Sequence, residues 1–248
     1  MLTKDALAVA AEIVTAGGEL AAARQDGVTE RTKGDMHSLA GAVVTDVDLA
    51  VERYVDEQLS ARCPDDGLVG EEYADRRARS GRTWYVDPVD GTLNYARRLG
   101  PWSVVLSAWR GAEPELVAVW SDGRCWTAAL GAGAHLDGVA LRVPVGPEPK
   151  GLVTANARLV GAVAARGWLG RTVESAAVQM CQVADGRATG SIRLRGHRRD
   201  THGPALLVAE AGGTVTDLDG GAWSASSRGL VAARPGVHAE LLALVEPQ

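Results

Sequence analysis

The segment that decides the fold is residues 84–95, with the sequence WYVDPVDGTLNY. Its first three residues are aromatic or β-branched, which is typical of a half-buried strand. Pro88 cannot donate a hydrogen bond to a neighbouring strand, so we expect the strand to stop there. Asp87 and Asp90 are therefore predicted at the carboxyl end of a strand, where open α/β sheets bind their ligands.

Two carboxylates held this close repel each other unless a proton or a cation lies between them. A hard divalent cation such as Mg²⁺ binds carboxylate oxygens, backbone carbonyls and water. Gly91 lets the backbone approach a bound anion closely, and Thr92 offers a hydroxyl group. Residues 87–92 therefore predict a metal-assisted phosphate site.

The composition is that of a globular protein, with 248 residues, 46% hydrophobic and 23% charged. A net charge of −5 argues against a general nucleic-acid binder. We find no apolar run of about 18 residues, so no membrane span is expected. The N-terminus does not resemble a secretory signal, and the three cysteines lack metal-ligand spacing, which favours a reducing cytoplasm.

Hydrophobic periodicity predicts helices over residues 3–24, 46–60, 157–166, 174–184, 204–211 and 236–245. Strands are predicted at 68–69, 102–109, 115–121, 125–129, 139–143, 152–154, 214–216 and 230–232, with hairpin turns near Glu113-Pro114 and Asp122-Gly123. Asp46 is the expected cap of the second helix, and residues 33–38 are expected to form a loop.

Residues 144–150 contain three prolines and are the clearest linker. We therefore expect an N-terminal α+β half, residues 1–147, and a C-terminal α/β half, residues 148–248, packed as one unit. The first half is predicted to be antiparallel, and the second alternates strand and helix in a layered α/β architecture.

Three further carboxylates lie where predicted elements begin or end: Asp48, Glu71 and Asp200. Any one of them alone is best interpreted as a solvated cap or turn residue. Together with Asp87 and Asp90, they lie at positions that converge on one rim of a sheet.

The chain resembles the inositol monophosphatase family in three motifs. These are Gly70-Glu71-Glu72, the run from Asp87 to Tyr95, and Asp200 before a helix that ends in Glu210-Ala211-Gly212-Gly213. The middle motif is highly specific, and the order and spacing of all three fit over nearly the whole chain. The superfamily also includes sugar bisphosphatases, histidinol-phosphatases and nucleotide phosphatases. Its fold is an αβαβα sandwich of the sugar-phosphatase type.

The resemblance implies a role for each matching position. The implied metal ligands are Glu71, Asp87, the carbonyl of Val89, Asp90 and Asp200, which would hold two or three Mg²⁺ ions. The backbone amides of Gly91 and Thr92 would bind phosphate. Glu71, Thr92 and Asp48 would orient and activate the attacking water.

The reaction implied by the resemblance is the hydrolysis of a phosphomonoester by in-line attack of a metal-activated water. It needs no covalent phosphoenzyme, since positioning and charge neutralisation supply the catalysis. The implied partner is a small phosphorylated metabolite, with a homodimer as the assembly and with neither a nucleic-acid polymer nor a membrane as a partner.

Two departures from the family pattern concern the substrate. Arg193 stands where inositol-type members carry a glutamate that accepts hydrogen bonds from substrate hydroxyls. Arg199 replaces the tryptophan before Asp200. We expect Arg193 and Arg199 to contact the substrate together with Glu174 and Ser175, although a solvated strand edge or a dimer contact would explain the arginines equally well.

Plain myo-inositol 1-phosphate is therefore not the expected substrate. The candidates are a sugar phosphate or bisphosphate, histidinol phosphate and a nucleotide-type phosphate. An alternative from another class is a degenerate family member that binds a phosphorylated ligand without turning it over.

Overall fold

The structure is a computed structural model that describes residues 3–28, 30–32, 43–146 and 151–245. The predicted loop at 33–38 lies outside the described residues, as do residues 147–150 of the predicted linker. The expected boundary between the two halves, at residues 147 and 148, also falls outside them.

Most of the segments predicted to be helical contain a helix in the structure. Within the described ranges the α-helices are α1 (Thr3–Arg24), α2 (Asp46–Arg62), α3 (Thr92–Arg97), α4 (Val160–Ala165), α5 (Ala176–Ala184), α6 (Ala205–Glu210) and α7 (His238–Leu242). Short 3₁₀ turns occupy Gln25–Gly27 and Ala157–Leu159, and a π-helical turn covers Arg198–His202.

The strands in the same part of the chain form three sheets. They are β1 (Glu30–Thr32), β2 (Val43–Thr45), β3 (Gly67–Val69), β4 (Asp75–Arg76), β5 (Arg82–Asp90), β6 (Ser103–Arg110), β7 (Glu113–Ser121), β8 (Arg124–Ala129), β9 (Gly133–Leu136), β10 (Val139–Ala140), β11 (Leu152–Ala155), β12 (Leu169–Arg171), β13 (Gly190–Arg193), β14 (Thr214–Asp217) and β15 (Leu230–Ala233).

The large sheet has eight strands in the order β10-β9-β8-β7-β6-β5-β3-β4 and is antiparallel except for the β3–β5 pair. A second sheet has the order β12-β11-β13-β15-β14, with β11 parallel to both of its neighbours. Strands β1 and β2 form a separate antiparallel pair. The mixed α/β class expected from the sequence is confirmed.

Three apolar cores lie between the layers. Because strand side chains alternate between the two faces of a sheet, one strand contributes to the cores on both faces. Val104 and Leu106 of β6 pack in a core with α1 and α2, whereas Val105 packs in a second core with α5 and α6. A third core, around Ile192, joins the outer face of the second sheet to α4 and α7. The order of layers is therefore helix, sheet, helix, sheet, helix.

Pro88 does not end its strand, so this prediction was wrong. β5 runs through to Asp90, and its register against β6 shifts between Asp87 and Asp90. Asp87 faces Val105 and Asp90 faces Ser103, which leaves two residues of β5 opposite one of β6. Pro88 lies within this bulge, where the ladder requires no amide hydrogen from it.

Other differences from the predicted elements have local causes. The first hairpin turn precedes Glu113, which pairs with Arg110, so Pro114 lies inside β7. Thr45, not Asp46, caps α2, because its hydroxyl accepts from the amides of Val47 and Asp48. The short strands β1, β2, β4, β9, β12 and β13 and the short helix α3 were missed, and strand 139–143 is reduced to two residues.

One helical stretch, Thr3–Gly27, is long and apolar enough by length and composition to cross a membrane, contrary to the sequence expectation. A core helix of a globular domain passes the same test. In this fold Ala10, Ile13 and Val14 of α1 are fully buried in the first core.

The glycine pair in α1 allows a test of this packing. A Cβ on Gly18 would lie 2.1 Å from Cδ2 of Trp120, whereas one on Gly17 would lie 3.4 Å from Cγ1 of Val51. We expect Gly18→Ala to lower the free energy of unfolding by about 1–3 kcal/mol through overpacking. Gly17→Ala, the matched control, should leave it unchanged or raise it by up to about 1 kcal/mol. Urea unfolding measures both, and equal effects would contradict the packing of α1 on Trp120.

Candidate active site

The bulge at the end of β5 turns Asp87, Val89 and Asp90 towards a single cavity. The amide of Val89 donates to Oδ1 of Asp87 at 3.2 Å, and the hydroxyl of Thr92 donates to the carbonyl of Val89 at 2.9 Å. Gly91 has a φ of +93°, in the left-handed region that favours glycine. The segment 87–92 is thus fixed by its own short-range hydrogen bonds.

Asp90 joins the first half of the chain to the start of α5. Its Oδ2 accepts from Ser175 Oγ at 2.6 Å and from the amide of Ala177 at 2.7 Å, and its Oδ1 accepts from the amide of Ala176 at 3.1 Å. Ser175 is also the N-cap of α5. A carboxylate at a helix N-terminus is stabilised by the amides exposed there and by the helix dipole.

Asp200 lies in the π-helical turn, and the amide of His197 donates to its Oδ1 at 2.7 Å. The neighbouring Arg199 forms an ion pair with Glu71, with 3.6 Å between Nε and Oε2. Glu71 itself lies in the loop that follows β3. The first and third motifs of the sequence therefore meet in space.

One cavity of about 280 Å³ collects most of the predicted site residues. Its lining consists of Glu71, Asp87, Val89, Asp90, Gly91, Thr92, Leu93, Glu174, Arg193 and Asp200. A larger groove of about 680 Å³ lies between α1 and β8, away from these carboxylates.

Three predicted site residues are not part of this lining. Ser175 acts behind it, through Asp90, and Arg199 contacts Glu71. Asp48 is buried in α2, where its Oδ2 accepts from the amide of Thr45 at 2.9 Å and also from the Thr45 hydroxyl. These bonds complete a capping box at the start of the helix.

Burial and mutual repulsion govern the carboxylates. Burial, followed by the charges of Glu71, Asp90 and Asp200, raises the pKa of Asp87 well above its usual range. Burial and the Asp200 charge raise the pKa of Asp90 to about 6, against the lowering effect of its bonds from Ser175 and α5. Burial also raises the pKa of Asp48 to about 7, with smaller contributions from Glu72 and Glu71.

The donor set around the cavity fits a hard divalent cation. It consists of carboxylate oxygens and one backbone carbonyl, and the raised pKa values show that negative charge there needs a proton or a cation. Within the described ranges, no three histidine, cysteine, aspartate or glutamate side chains already stand together as a complete ion site. The fit therefore rests on the chemistry of the donors and on their shared cavity.

The basic run from Arg193 to Arg199 separates into different environments. Arg193 lines the cavity, and Arg195 is exposed. The guanidinium of Arg198 lies 5.2 Å from the ring centres of both Tyr85 and Trp109, and it donates to the Tyr85 hydroxyl at 2.8 Å. The sequence did not show these different environments, because the four arginines lie within seven positions. Their side chains are separated only by the backbone conformations of β13 and the π-helical turn.

Sequence reasoning also missed Glu52, a fully buried residue of α2 that binds the backbone of the Glu71 loop. In the helical pattern it is one more charged residue. Its only visible signal is its position, four residues after Asp48 on the same side of α2.

Comparison with known proteins identifies what the chain resembles. The model of the inositol monophosphatase family matches residues 3–247. Human inositol monophosphatase 1 is 30% identical over 250 residues, covering 89% of this chain and 90% of the human protein. Inositol-1-monophosphatase ImpA of Mycolicibacterium smegmatis is 30% identical over 261 residues, covering 97% of this chain and 91% of that protein.

Solved structures share the fold. An IMPase from Thermotoga maritima superimposes with a TM-score of 0.87 at 24% identity, covering 97% of this chain and 96% of that one. The extragenic suppressor protein SuhB of Bartonella henselae also gives 0.87, at 21% identity, covering 98% of both chains.

The raised pKa of Asp48 predicts how stability depends on pH. Since an unfolded aspartate has a pKa of about 3.9, the folded protein binds more protons between about pH 4 and pH 7, and stability falls as pH rises through this range. Asp48→Asn cannot ionise, so we expect it to raise the free energy of unfolding at pH 7.5 by about 2–4 kcal/mol relative to wild type, and by little at pH 4.

Urea unfolding in EDTA at the two pH values measures the difference. Asp122→Asn, at an exposed hairpin position with a φ of +50° that asparagine tolerates, is the matched control. A gain for Asp48→Asn that is the same at both pH values would contradict a buried, readily protonated Asp48.

Proposed function

The chain belongs to the inositol monophosphatase family, and from this premise we propose that it is a Mg²⁺-dependent phosphomonoesterase whose substrate carries a second anionic group. That the protein is a phosphatase of this family follows from the family match and from the 30% identity to named inositol monophosphatases. The ion count, the residue roles and the substrate are proposals.

The observation that carries the proposal is the single cavity lined by Glu71, Asp87, Asp90 and Asp200. These four carboxylates and the carbonyl of Val89 would hold two or three Mg²⁺ ions. When bound, the ions would polarise the phosphoryl oxygens and neutralise the charge that develops on the leaving alkoxide.

Phosphate binding is proposed at the amides of Gly91 and Thr92. The left-handed conformation of Gly91 exposes the backbone there, and a Cβ at that residue would lie only 3.2 Å from Cβ of Ser175. Backbone amides donate hydrogen bonds to phosphate oxygens, and the main chain holds them in place, whereas a side chain could reorient.

Glu71 is proposed to orient the attacking water and accept its proton, since its carboxylate faces the cavity. Thr92 and Asp48 are proposed to assist. Thr92 has a single hydroxyl hydrogen, which it donates to the carbonyl of Val89, so it must change partner before it can donate to Asp48. The water then attacks phosphorus in line with the leaving oxygen, and no covalent phosphoenzyme forms.

The proposal of a second anionic group rests on Arg193. Among the described lining residues it is the one cation, and its buried Nε has no hydrogen-bond partner in the described part of the chain. Glu174 faces the same cavity and offers an acceptor to substrate hydroxyls. A sugar bisphosphate, a phosphorylated sugar acid or a 3′-phosphorylated nucleotide would satisfy both groups, with histidinol phosphate the least suited because its amine is cationic.

The relatives named as inositol monophosphatases share only about a third of the residues with this chain, so their substrate is not carried over. A second candidate function is ligand binding without turnover. The observation that favours it is the ion pair between Arg199 and Glu71, which places a cation against a proposed metal ligand. Cytoplasmic location, a homodimeric assembly and the division into halves at residue 147 are also proposals, and they rest on the family resemblance and the sequence.

Measuring phosphate release distinguishes a phosphatase from a protein that binds a phosphorylated ligand without turnover. We expect Mg²⁺-dependent release from at least one ester in a panel of bisphosphates, nucleotide phosphates and inositol phosphates. Asp87→Asn should lower kcat by at least about 100-fold, because it removes a metal-facing charge worth several kcal/mol. Asp87 is a cleaner choice than Asp90, which also caps α5.

Asp122→Asn is the control for the loss of an aspartate charge and should retain wild-type turnover. No release from any ester, with ligand binding retained, would favour the binder. Near-normal turnover in Asp87→Asn would contradict the proposed metal ligands.

Charge reversal at Arg193 tests the substrate proposal. Arg193→Glu should lower kcat/KM about 10- to 100-fold more for a doubly anionic ester than for a singly phosphorylated ester that lacks the inositol ring, because a charged hydrogen bond is lost. Arg195→Glu makes the same charge change two residues away at an exposed position, so it should affect both esters equally. Equal effects of Arg193→Glu on the two esters would remove the basis for a second anionic group.

A further inference from the structure

Glu52 is a fully buried carboxylate that binds four consecutive backbone amides. Its Oε2 accepts from the amides of Glu71 and Glu72 at 3.0 and 2.8 Å, and its Oε1 accepts from those of Tyr73 and Ala74 at 2.8 and 2.7 Å. We propose that Glu52 is a positioning residue, which fixes the loop 70–74 so that the Glu71 carboxylate faces the cavity. The inference rests on the proposed function through the metal-binding role of Glu71.

The chemistry requires a carboxylate at this position. An ionised glutamate offers two oxygens with about four lone-pair sites and no hydrogen, so it can accept all four amides. A glutamine would turn an NH₂ group towards two of these donors. Bonds to an ionised acceptor are also the stronger kind, which offsets the cost of burying the charge.

Gly70 shows how closely the loop approaches this carboxylate. A Cβ at that residue would lie 2.0 Å from Oε1 of Glu52. The amide of Gly70 donates to the carbonyl of Ala74 at 2.6 Å and closes the loop on itself. The glycine that begins the first motif therefore makes room for Glu52, which the motif does not contain.

The support for Glu52 is the helix that carries it. Val51 and Val55 of α2 are fully buried in the first core, so the carboxylate is presented from a fixed element. Asp48, one turn earlier on α2, is held by the capping box. A displacement of the loop would move Glu71 away from Asp87 and Asp90, which belong to β5.

The test is a pair of substitutions that disturb the bonds from opposite sides. Glu52→Gln removes the charge and one acceptor oxygen, and Gly70→Ala displaces the carboxylate while keeping its charge. In each folded variant, hydrogen exchange at the amides of residues 71–74 should accelerate at least about 10-fold. The dissociation constant for Mg²⁺, measured by calorimetry without substrate, should rise about 10- to 100-fold, as for other groups that orient metal ligands.

Turnover should separate positioning from a direct catalytic role. With a phosphate ester that the wild type hydrolyses, we expect kcat of both variants to recover towards wild type at saturating Mg²⁺. Glu57→Gln, an exposed glutamate of the same helix, is the matched control and should behave as wild type in exchange, Mg²⁺ binding and turnover.

Wild-type exchange and Mg²⁺ affinity in a folded Glu52→Gln protein would overturn the inference. If that variant does not fold, Gly70→Ala decides by the same criteria, and if neither folds, slow exchange of the four amides in the wild type supports the inference and fast exchange overturns it. A wild-type chain that binds no Mg²⁺ would contradict the proposed function, whereas the exchange data would still decide whether Glu52 holds the loop.

Discussion

Electrostatic repulsion between buried carboxylates is the constraint on which the rest of this structure depends. Asp87 is buried and repelled by Glu71, Asp90 and Asp200, Asp90 is buried and repelled by Asp200, and both pKa values are raised as a result. The fold offsets this repulsion with backbone amides at the start of α5 and with Arg199 beside Glu71, while the bonds that Glu52 accepts hold the loop that carries Glu71. Each of these partners comes from a different element, so the site holds the layers in register.

Asp90 shows how this constraint joins the two sheets. Asp90 is the last residue of β5 in the large sheet. Its carboxylate accepts hydrogen bonds from amides at the start of α5, a helix of the layer between the sheets. Ser103 of β6 also donates to it at 3.2 Å. A residue chosen for charge thus also contributes to the packing of α5 against the large sheet. Substitutions there combine a loss of function with a loss of stability, and the two effects have to be measured separately.

The sequence predicted the parts of this structure that depend on local pattern. The long helices and the antiparallel strands follow from periodicity, and the 84–95 motif located Asp87, Asp90, Gly91 and Thr92 at the cavity. The motifs also indicated that Glu71 and Asp200 converge on this cavity, but other interactions between distant segments were not visible. Glu52 was not identified, because its partners lie 19 to 22 positions away. Arg198 could not be told from the neighbouring arginines, because its contacts with Tyr85 and Trp109 join distant parts of the chain. β13 was missed because its sequence, Gly190–Arg193, contains a single β-branched residue, Ile192, next to glycine, serine and arginine.

The bulge at Pro88 makes the number of residues in this segment a functional property. Residues three apart in a regular strand face opposite sides of the sheet, so it is the extra residue of the bulge that brings Asp87 and Asp90 opposite Val105 and Ser103, on one face of the large sheet. A one-residue insertion would put the segment out of register with β6, and a one-residue deletion would remove the bulge that turns Val89 towards the cavity. Substitutions here are limited by chemistry, whereas length changes are limited by geometry. Homologous chains that retain this activity should therefore tolerate insertions and deletions in the surface hairpins of the large sheet and none in the four residues from Asp87 to Asp90.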